Sequence, residues 1–188
     1  MASPIRTTHL DLIPPEPEAI RHLIAGDRAA AERVVGLTLP PEFPTEDDLA
    51  GFLPIQLKRM EGTPERRDWM VRLMVSRSSQ VIGHCGFHGP PDIVGRAEIG
   101  YTVFEPFRGN SFAKEAATAL VRWAFEQGEA EVYACVAPRN APSLAVVNSL
   151  GFKQVGTQED EVDGLELVFA IRADELRPLR QQPQQRPR

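Results

Sequence analysis

The segment RGNSFA, residues 108–113, carries residue types that suit an anion site at the start of a helix. The first amides of a helix have no carbonyl four residues back. Their N–H groups and the helix dipole therefore attract negative charge without a charged side chain. Gly109 supplies a tight turn, the amides from Gly109 to Lys114 can converge, and Arg108 and Lys114 add positive charge beside them. Phosphate binding is the chemistry such a turn would perform. The same residues also fit a plain helix start, because many loop-to-helix junctions contain one glycine. Elsewhere, HCGFH places His84 and His88 on one face of a strand, where they could approach a cleft or serve the core, and its spacing is not that of a metal site. Cys85 and Cys135 stand singly in apolar segments and read as buried, inert thiols. Trp69 and Phe87 read as core rather than as a ligand-stacking pair.

The elements that must position these residues follow from hydrophobic period and from the turn residues. IRTTHLDLI, residues 5–13, alternates as a strand, and PPEPEAIRHLI marks a helix start with its prolines. Residues 40–60 hold a loop, a capping-type TEDD and a helix that Pro54 must kink or split, giving an irregular helical arm. RDWMVRLMVS and QVIGHCGFHG read as two strands joined by a tight turn. RAEIGYTVF is the next strand, with Glu98, Gly100 and Thr102 on one face and Ile99, Tyr101 and Val103 on the other. The helix that follows has a narrow polar stripe of Lys114, Thr118, Arg122 and Glu126 on an otherwise apolar surface, as a helix crossing a sheet would have. EVYACVA is a buried strand, and NAPSLAVVNSL is a short helix capped by Asn140 with Pro142 in its first turn. After GF comes a last pair of strands with a VDGLE hairpin signal.

The order predicts an α/β fold with a mixed sheet, antiparallel where hairpins join and parallel where the long helix crosses over. That crossover puts the helix N-terminus at the C-terminal end of the strand holding Glu98, where open α/β sheets commonly bind ligands.

Two stretches, EIGYTV with RGNSFAKEA, and PRNAPSLAVVNSLGFKQVG, are similar to the GNAT superfamily of acetyl-CoA-dependent N-acetyltransferases. The similarity leans toward the branch that includes ribosomal-protein N-terminal acetyltransferases. It covers residues 5–172 in element order, with its specific motifs between residues 98 and 156. It implies a single GNAT-like domain over residues 1–176, with a central mixed, mostly antiparallel sheet and helices on both faces. Residues 177–188 are read as a disordered Pro/Gln/Arg tail.

Roles follow from the resemblance residue by residue. Tyr101, Thr102 and Val103 match the strand edge that pairs with the pantetheine arm of acetyl-CoA. Arg108, Gly109, Asn110, Ser111, Phe112, Ala113 and Lys114 match the pyrophosphate cradle. Asn140 matches a polar residue that contacts the cofactor or orders the splayed strands, although its cap role explains it equally. Ser111 departs from the family's usual glycine. If the backbone there is left-handed, serine costs on the order of 1 kcal/mol.

The implied reaction is transfer of an acetyl group to a primary amine by direct attack in a ternary complex, with acetyl-CoA as co-substrate and no metal. An attacking amine must be neutral, and α-amino and lysine groups titrate near ~8 and ~10.4, so a base acting directly or through water helps at neutral pH. Glu98 is the candidate, against a reading as a solvated strand carboxylate or a group that binds the amine without moving a proton. A strand-edge amide, that of Val103, is the candidate for oxyanion stabilisation. Many family members use a tyrosine acid four residues before the GF glycine. Here Val147 stands there, and Ser143 takes the role in the branch resembled, with helix-start hydrogen bonding as its alternative.

The totals set outer bounds. At 188 residues, 42 % hydrophobic and 25 % charged, the chain reads as one ordinary globular domain. No membrane-length apolar run or secretion signal is visible, which makes a cytoplasmic location the expectation. A net charge of -5 argues against a nucleic-acid surface and mildly favours cationic partners. Acidic Glu46, Asp47, Asp160 and Asp163 are candidates to attract an amine, whether a small molecule or a protein N-terminus, and a homodimer is compatible with the sequence. The competing readings are a catalytically idle acyl-CoA-binding or regulatory domain and a structural module without cofactor.

Overall fold

The computed structural model describes residues 3–160 and 164–176. The tail expected over 177–188, and the tip of the last hairpin with Asp163, lie outside them. Among the described residues there are eight strands: Ile5–Arg6 (β1), Leu10–Ile13 (β2), Val71–Ser76 (β3), Val81–Phe87 (β4), Ala97–Val103 (β5), Glu131–Val136 (β6), Lys153–Asp160 (β7) and Gly164–Arg172 (β8). The helices are Pro17–Ile24 (α1), Arg28–Val35 (α2), Leu53–Gly62 (α3), Pro91–Val94 (α4), Phe112–Glu126 (α5) and Ala141–Leu150 (α6). The strands form one sheet in the order β1-β2-β3-β4-β5-β6-β8-β7. Among the described residues only β5 and β6 pair in parallel, joined by the α5 crossover; the other neighbours are antiparallel.

Period 2 divides the side chains between the faces, with a bulge in the β3–β4 pairing at Met74/Val75 that shifts the phase near Ile82. Ile82, Phe87, Ile99, Val132, Ala134 and Phe169 meet Leu120, Val121 and Ala124 of α5 and Val147 and Leu150 of α6 in one core. On the opposite face Val71, Leu73 and Val81 meet Ile20 of α1, Ala31 of α2 and Leu53 and Met60 of α3. This is the α/β architecture expected: one mixed sheet, helices on both faces. Trp69, Phe87 and Trp123 pack edge-on or tilted at 4.7 to 5.5 Å between ring centres, so Trp69 and Phe87 are core.

Three local features differ from the sequence reading. Residues 5–13 form a tight hairpin, not one strand, because the Thr7 amide donates to the Leu10 carbonyl and Thr7 Oγ1 accepts from the Leu10 amide, both at 2.9 Å. Glu115 at the start of α5 fixes that turn, accepting from Thr7 Oγ1 and the His9 amide at 2.6 Å each, with His9 Nδ1 at 2.9 Å. Partial burial opposes ionisation of Glu115, but these donors hold its carboxyl below its ordinary value. The strand expected from residue 67 begins only at Val71, after a 3₁₀ turn over Pro64–Trp69. Within the polar stripe of α5, Thr118 is buried and donates to the Lys114 carbonyl at 2.7 Å.

Past its opening loop, the arm over residues 40–60 is unbroken helical backbone, and Pro54, expected to kink or split it, sits in the first turn of α3 just after a π-helical irregularity. A π-helical turn, Asp48–Phe52, precedes α3, and Thr45 and Asp48 exchange capping bonds at 2.8 and 3.1 Å.

Candidate active site

The parallel pairing of β5 with β6 holds at only two registers, Ala97 with Val132 and Glu98 with Tyr133. Beyond them the strands part, and a wedge opens toward the C-terminal end of β5. Glu98 stands at its vertex. Residues of a strand turn both backbone groups to the same side, alternately left and right. The Glu98 carbonyl accepts from His88 and the Phe104 amide donates to Ile82, both on the β4 side. Tyr101 and Val103 therefore face the wedge and Thr102 faces β4. Of the three residues matched to a cofactor-pairing edge, two present backbone groups to the gap.

At the wide end lies the turn into α5. Gly109 has φ 81° and Ser111 φ 62° with ψ 11°, so Ser111 carries the left-handed conformation at the N-cap that glycine would take at less cost. Its side chain makes no capping bond. The amides of Phe112, Ala113 and Lys114 are the helix's uncommitted first donors, and that of Glu115 bonds the Ser111 carbonyl at 3.0 Å. Arg108 and Asn110 spend side-chain donors on the loop itself: Arg108 Nε reaches the Val103 carbonyl at 3.0 Å, and Asn110 Nδ2 the carbonyls of Phe107 and Arg108 at 3.1 and 3.2 Å. The donors left uncommitted at the first turn of α5 include the backbone amides of Phe112, Ala113 and Lys114.

Glu98 is 7 % exposed, on the sheet face opposite α5. Arg96 Nε donates to its Oε2 at 2.8 Å, and His88 Nδ1 lies 3.3 Å from Oε1. Burial works against the Arg96 charge, but the bond to Glu98 and the facing carboxylate outweigh it and raise its guanidinium above its ordinary value. Arg96 Nη2 also reaches Cys135 Sγ at 3.1 Å and Gln158 Oε1 at 2.9 Å, and its guanidinium lies over the Tyr133 ring. Partial burial, with Glu98 beside it, pushes the Cys135 thiol up to about 12. Burial does the same for Cys85. Both thiols stay protonated near neutral pH and are poor nucleophiles. Cys135 is only partly buried, unlike Cys85.

A surface cleft of about 440 Å³ opens over Glu98, lined also by Arg59, His88, Val94, Gly95 and Arg96. A Cβ on Gly100 would stand 3.1 Å from His88 Nε2, so this glycine lets the imidazole lie over β5. His84, on the same strand face, does not join the cleft. It stacks on Phe52 at 4.6 Å and lies 3.7 Å from Asp48, and burial lowers its value to about 4 despite that carboxylate.

The remaining expected residues cluster at α6. Asn140 Oδ1 accepts from the Ser143 amide at 3.2 Å, which caps the helix. The Tyr101 hydroxyl spans from β5 to the Ser143 carbonyl at 3.5 Å. Val147 is fully buried. Glu46 and Asp47 are exposed on the arm and line no part of the cleft. Sequence reading missed Arg96 and Arg59. Arg96 was legible in principle, two residues before Glu98 on the same face. Arg59 was not, since only the folded arm brings it there.

The sheet order, the wedge and the amide-rich turn define the fold class; comparison gives the family. A model of the acetyltransferase (GNAT) domain matches residues 9–153, and the chain belongs to the GNAT family. A curated relative, an uncharacterized N-acetyltransferase p20 of Bacillus licheniformis, is 37 % identical over 89 residues, 47 % of this chain and 50 % of that protein. The match thus spans about half the relative's length. An acetyltransferase structure from Agrobacterium tumefaciens str. C58 superposes with TM-score 0.62 at 24 % identity, over 91 % of this chain and 95 % of that one. A ribosomal L7/L12 alpha-N-protein acetyltransferase in complex with coenzyme A gives 0.64 at 16 % identity, over 92 % and 99 %. At such identities the likeness is one of fold.

Proposed function

We propose that the protein transfers an acetyl group from acetyl-CoA to a primary amine, by direct attack within a ternary complex. The observation that carries this reading is the wedge between β5 and β6, with Glu98 at its vertex and the uncommitted amides of α5 at its wide end. The pyrophosphate sits on the amides of Ser111, Phe112, Ala113 and Lys114. The pantetheine arm runs back along the edge presented by Tyr101 and Val103. Coenzyme A in the complex of the L7/L12 acetyltransferase supports this choice of cofactor.

The amine enters from the cleft on the other face. Glu98 accepts its proton, through water, as the nitrogen attacks the thioester carbon. The C–N bond forms while the carbonyl π electrons move to oxygen, and the N–H groups of Val103 and Tyr101 are the wedge-facing donors available to that oxyanion. Collapse expels the CoA thiolate, which needs little assistance because thiols ionise near ~8.5. Ser143, at the start of α6, is the group proposed to return a proton to it. The protonated state of Cys135 favours direct attack over an acetyl-cysteine intermediate.

The test is a calorimetric titration with acetyl-CoA, followed by CoA release against a panel of small-molecule amines and peptides with free N-termini. Binding with turnover supports the reading. Binding without turnover on any amine would assign the fold to an idle acyl-CoA-binding role, the outcome favoured by the left-handed Ser111 and the buried Val147. No binding contradicts both.

A further inference from the structure

The walls of the Glu98 cleft carry more positive than negative charge, contrary to what an amine alone would favour. Its cations are Arg59 and Arg96, and its carboxylate is Glu98. Glu98 is already bonded by Arg96 at 2.8 Å and flanked by His88 at 3.3 Å. Arg59 is different. It comes from α3, its Nη1 donates to the His88 carbonyl, and among the described residues it makes no ion pair. Its stem is placed beside the chain, since a Cβ on Gly89 would lie 3.8 Å from Arg59 Cδ. Burial alone draws the guanidinium below its ordinary value, with no facing carboxylate to offset it. A half-buried guanidinium with spare donors in a cleft is an incomplete recognition element. Its planar fork matches a carboxylate in two parallel hydrogen bonds.

We propose that the acceptor is an amine that also bears a carboxylate, held by Arg59 while the nitrogen faces Glu98. The carboxylate belongs either to a free amino acid or to an acidic side chain next to a peptide N-terminus. About 440 Å³ accommodates either one small molecule or the first two residues of a peptide. This inference rests on the acetyltransferase reading above, and it is tested separately by binding.

Product-like probes make the test independent of turnover. N-acetylglycine, N-acetylleucine and N-acetylglutamate are titrated against their carboxamides, with and without saturating CoA. N-acetyl-Gly-Asp amide is compared with N-acetyl-Gly-Asn amide. The carboxylates bind about ten-fold or more tightly than the matched amides, as expected for a charge-assisted bidentate contact. The arm with the stronger preference identifies the source. In Arg59→Met the preference falls to near unity while the amide affinities and acetyl-CoA binding persist; in Arg59→Lys part of it remains. Equal binding of acids and amides, or a preference that survives Arg59→Met, overturns the proposal. Failure of acetyl-CoA to bind while the Arg59-dependent preference holds would instead sink the acetyltransfer reading alone.

Discussion

In the proposed reaction, Glu98 and Ser111 are the side chains on which the chemistry turns. The Glu98 carboxylate is held by Arg96 at 2.8 Å, so Glu98→Gln keeps an oxygen for that bond and removes only the proton acceptor. Loss of a general base costs about 100-fold or more in kcat. The variant should therefore bind acetyl-CoA normally but turn over at least ~100-fold more slowly near neutral pH. Its rate should recover as pH approaches the amine's own value, about 8 for an α-amino group and about 10.4 for a lysine. A variant rate that stays flat with pH would make Glu98 a structural residue. At Ser111, φ of 62° is the conformation in which a side chain is strained. Ser111→Gly should raise stability by up to about 1 kcal/mol in urea unfolding and leave acetyl-CoA affinity equal or tighter. Loss of affinity would show that the hydroxyl itself grips phosphate. That this position stood at a left-handed turn was legible in sequence only through the resemblance. Of the arginines around Glu98, period 2 could have shown Arg96, though the sequence reading missed it, and only the folded arm shows Arg59.

The arm leading into α3 shapes the opposite face of the sheet. His84 is held neutral between Phe52 and Phe104, with Asp48 at 3.7 Å the carboxylate facing it. Above pH ~6.5 the ring is neutral folded or unfolded and contributes no pH dependence. As pH falls from there toward about 4, the unfolded chain takes up the proton first and the fold is destabilised, by about 3 kcal/mol in full. His84→Phe should flatten the stability profile between pH 6.5 and 4, measured by urea unfolding at each pH. An unchanged slope would show that His84 is protonated in the fold. Patterning predicted the strand that carries His84 and a helical irregularity near Pro54. It could not predict that the arm buries His84 and delivers Arg59 to the cleft, because those contacts join residues 29 to 36 positions apart. The N-terminal hairpin was missed for a similar reason. Its turn is fixed by Glu115, more than 100 positions away.

Across the whole molecule, the order of strands and helices follows from periodicity, and the parallel β5–β6 pair from the length of α5 between them. The wedge is a property of that pair: two registers, then separation. The α5 turn lies beyond its open end and the Glu98 cleft on one sheet face, so on the proposed reading cofactor and acceptor enter from different sides. The most direct test is amide hydrogen exchange of the protein with and without saturating acetyl-CoA. Protection should appear at Tyr101 and Val103 and at the amides of Ser111 to Lys114, with Thr102 unchanged because it already bonds toward β4. Binding that leaves those amides unprotected, or that protects only Thr102 or a surface away from the wedge, would contradict a cofactor lying between β5 and β6.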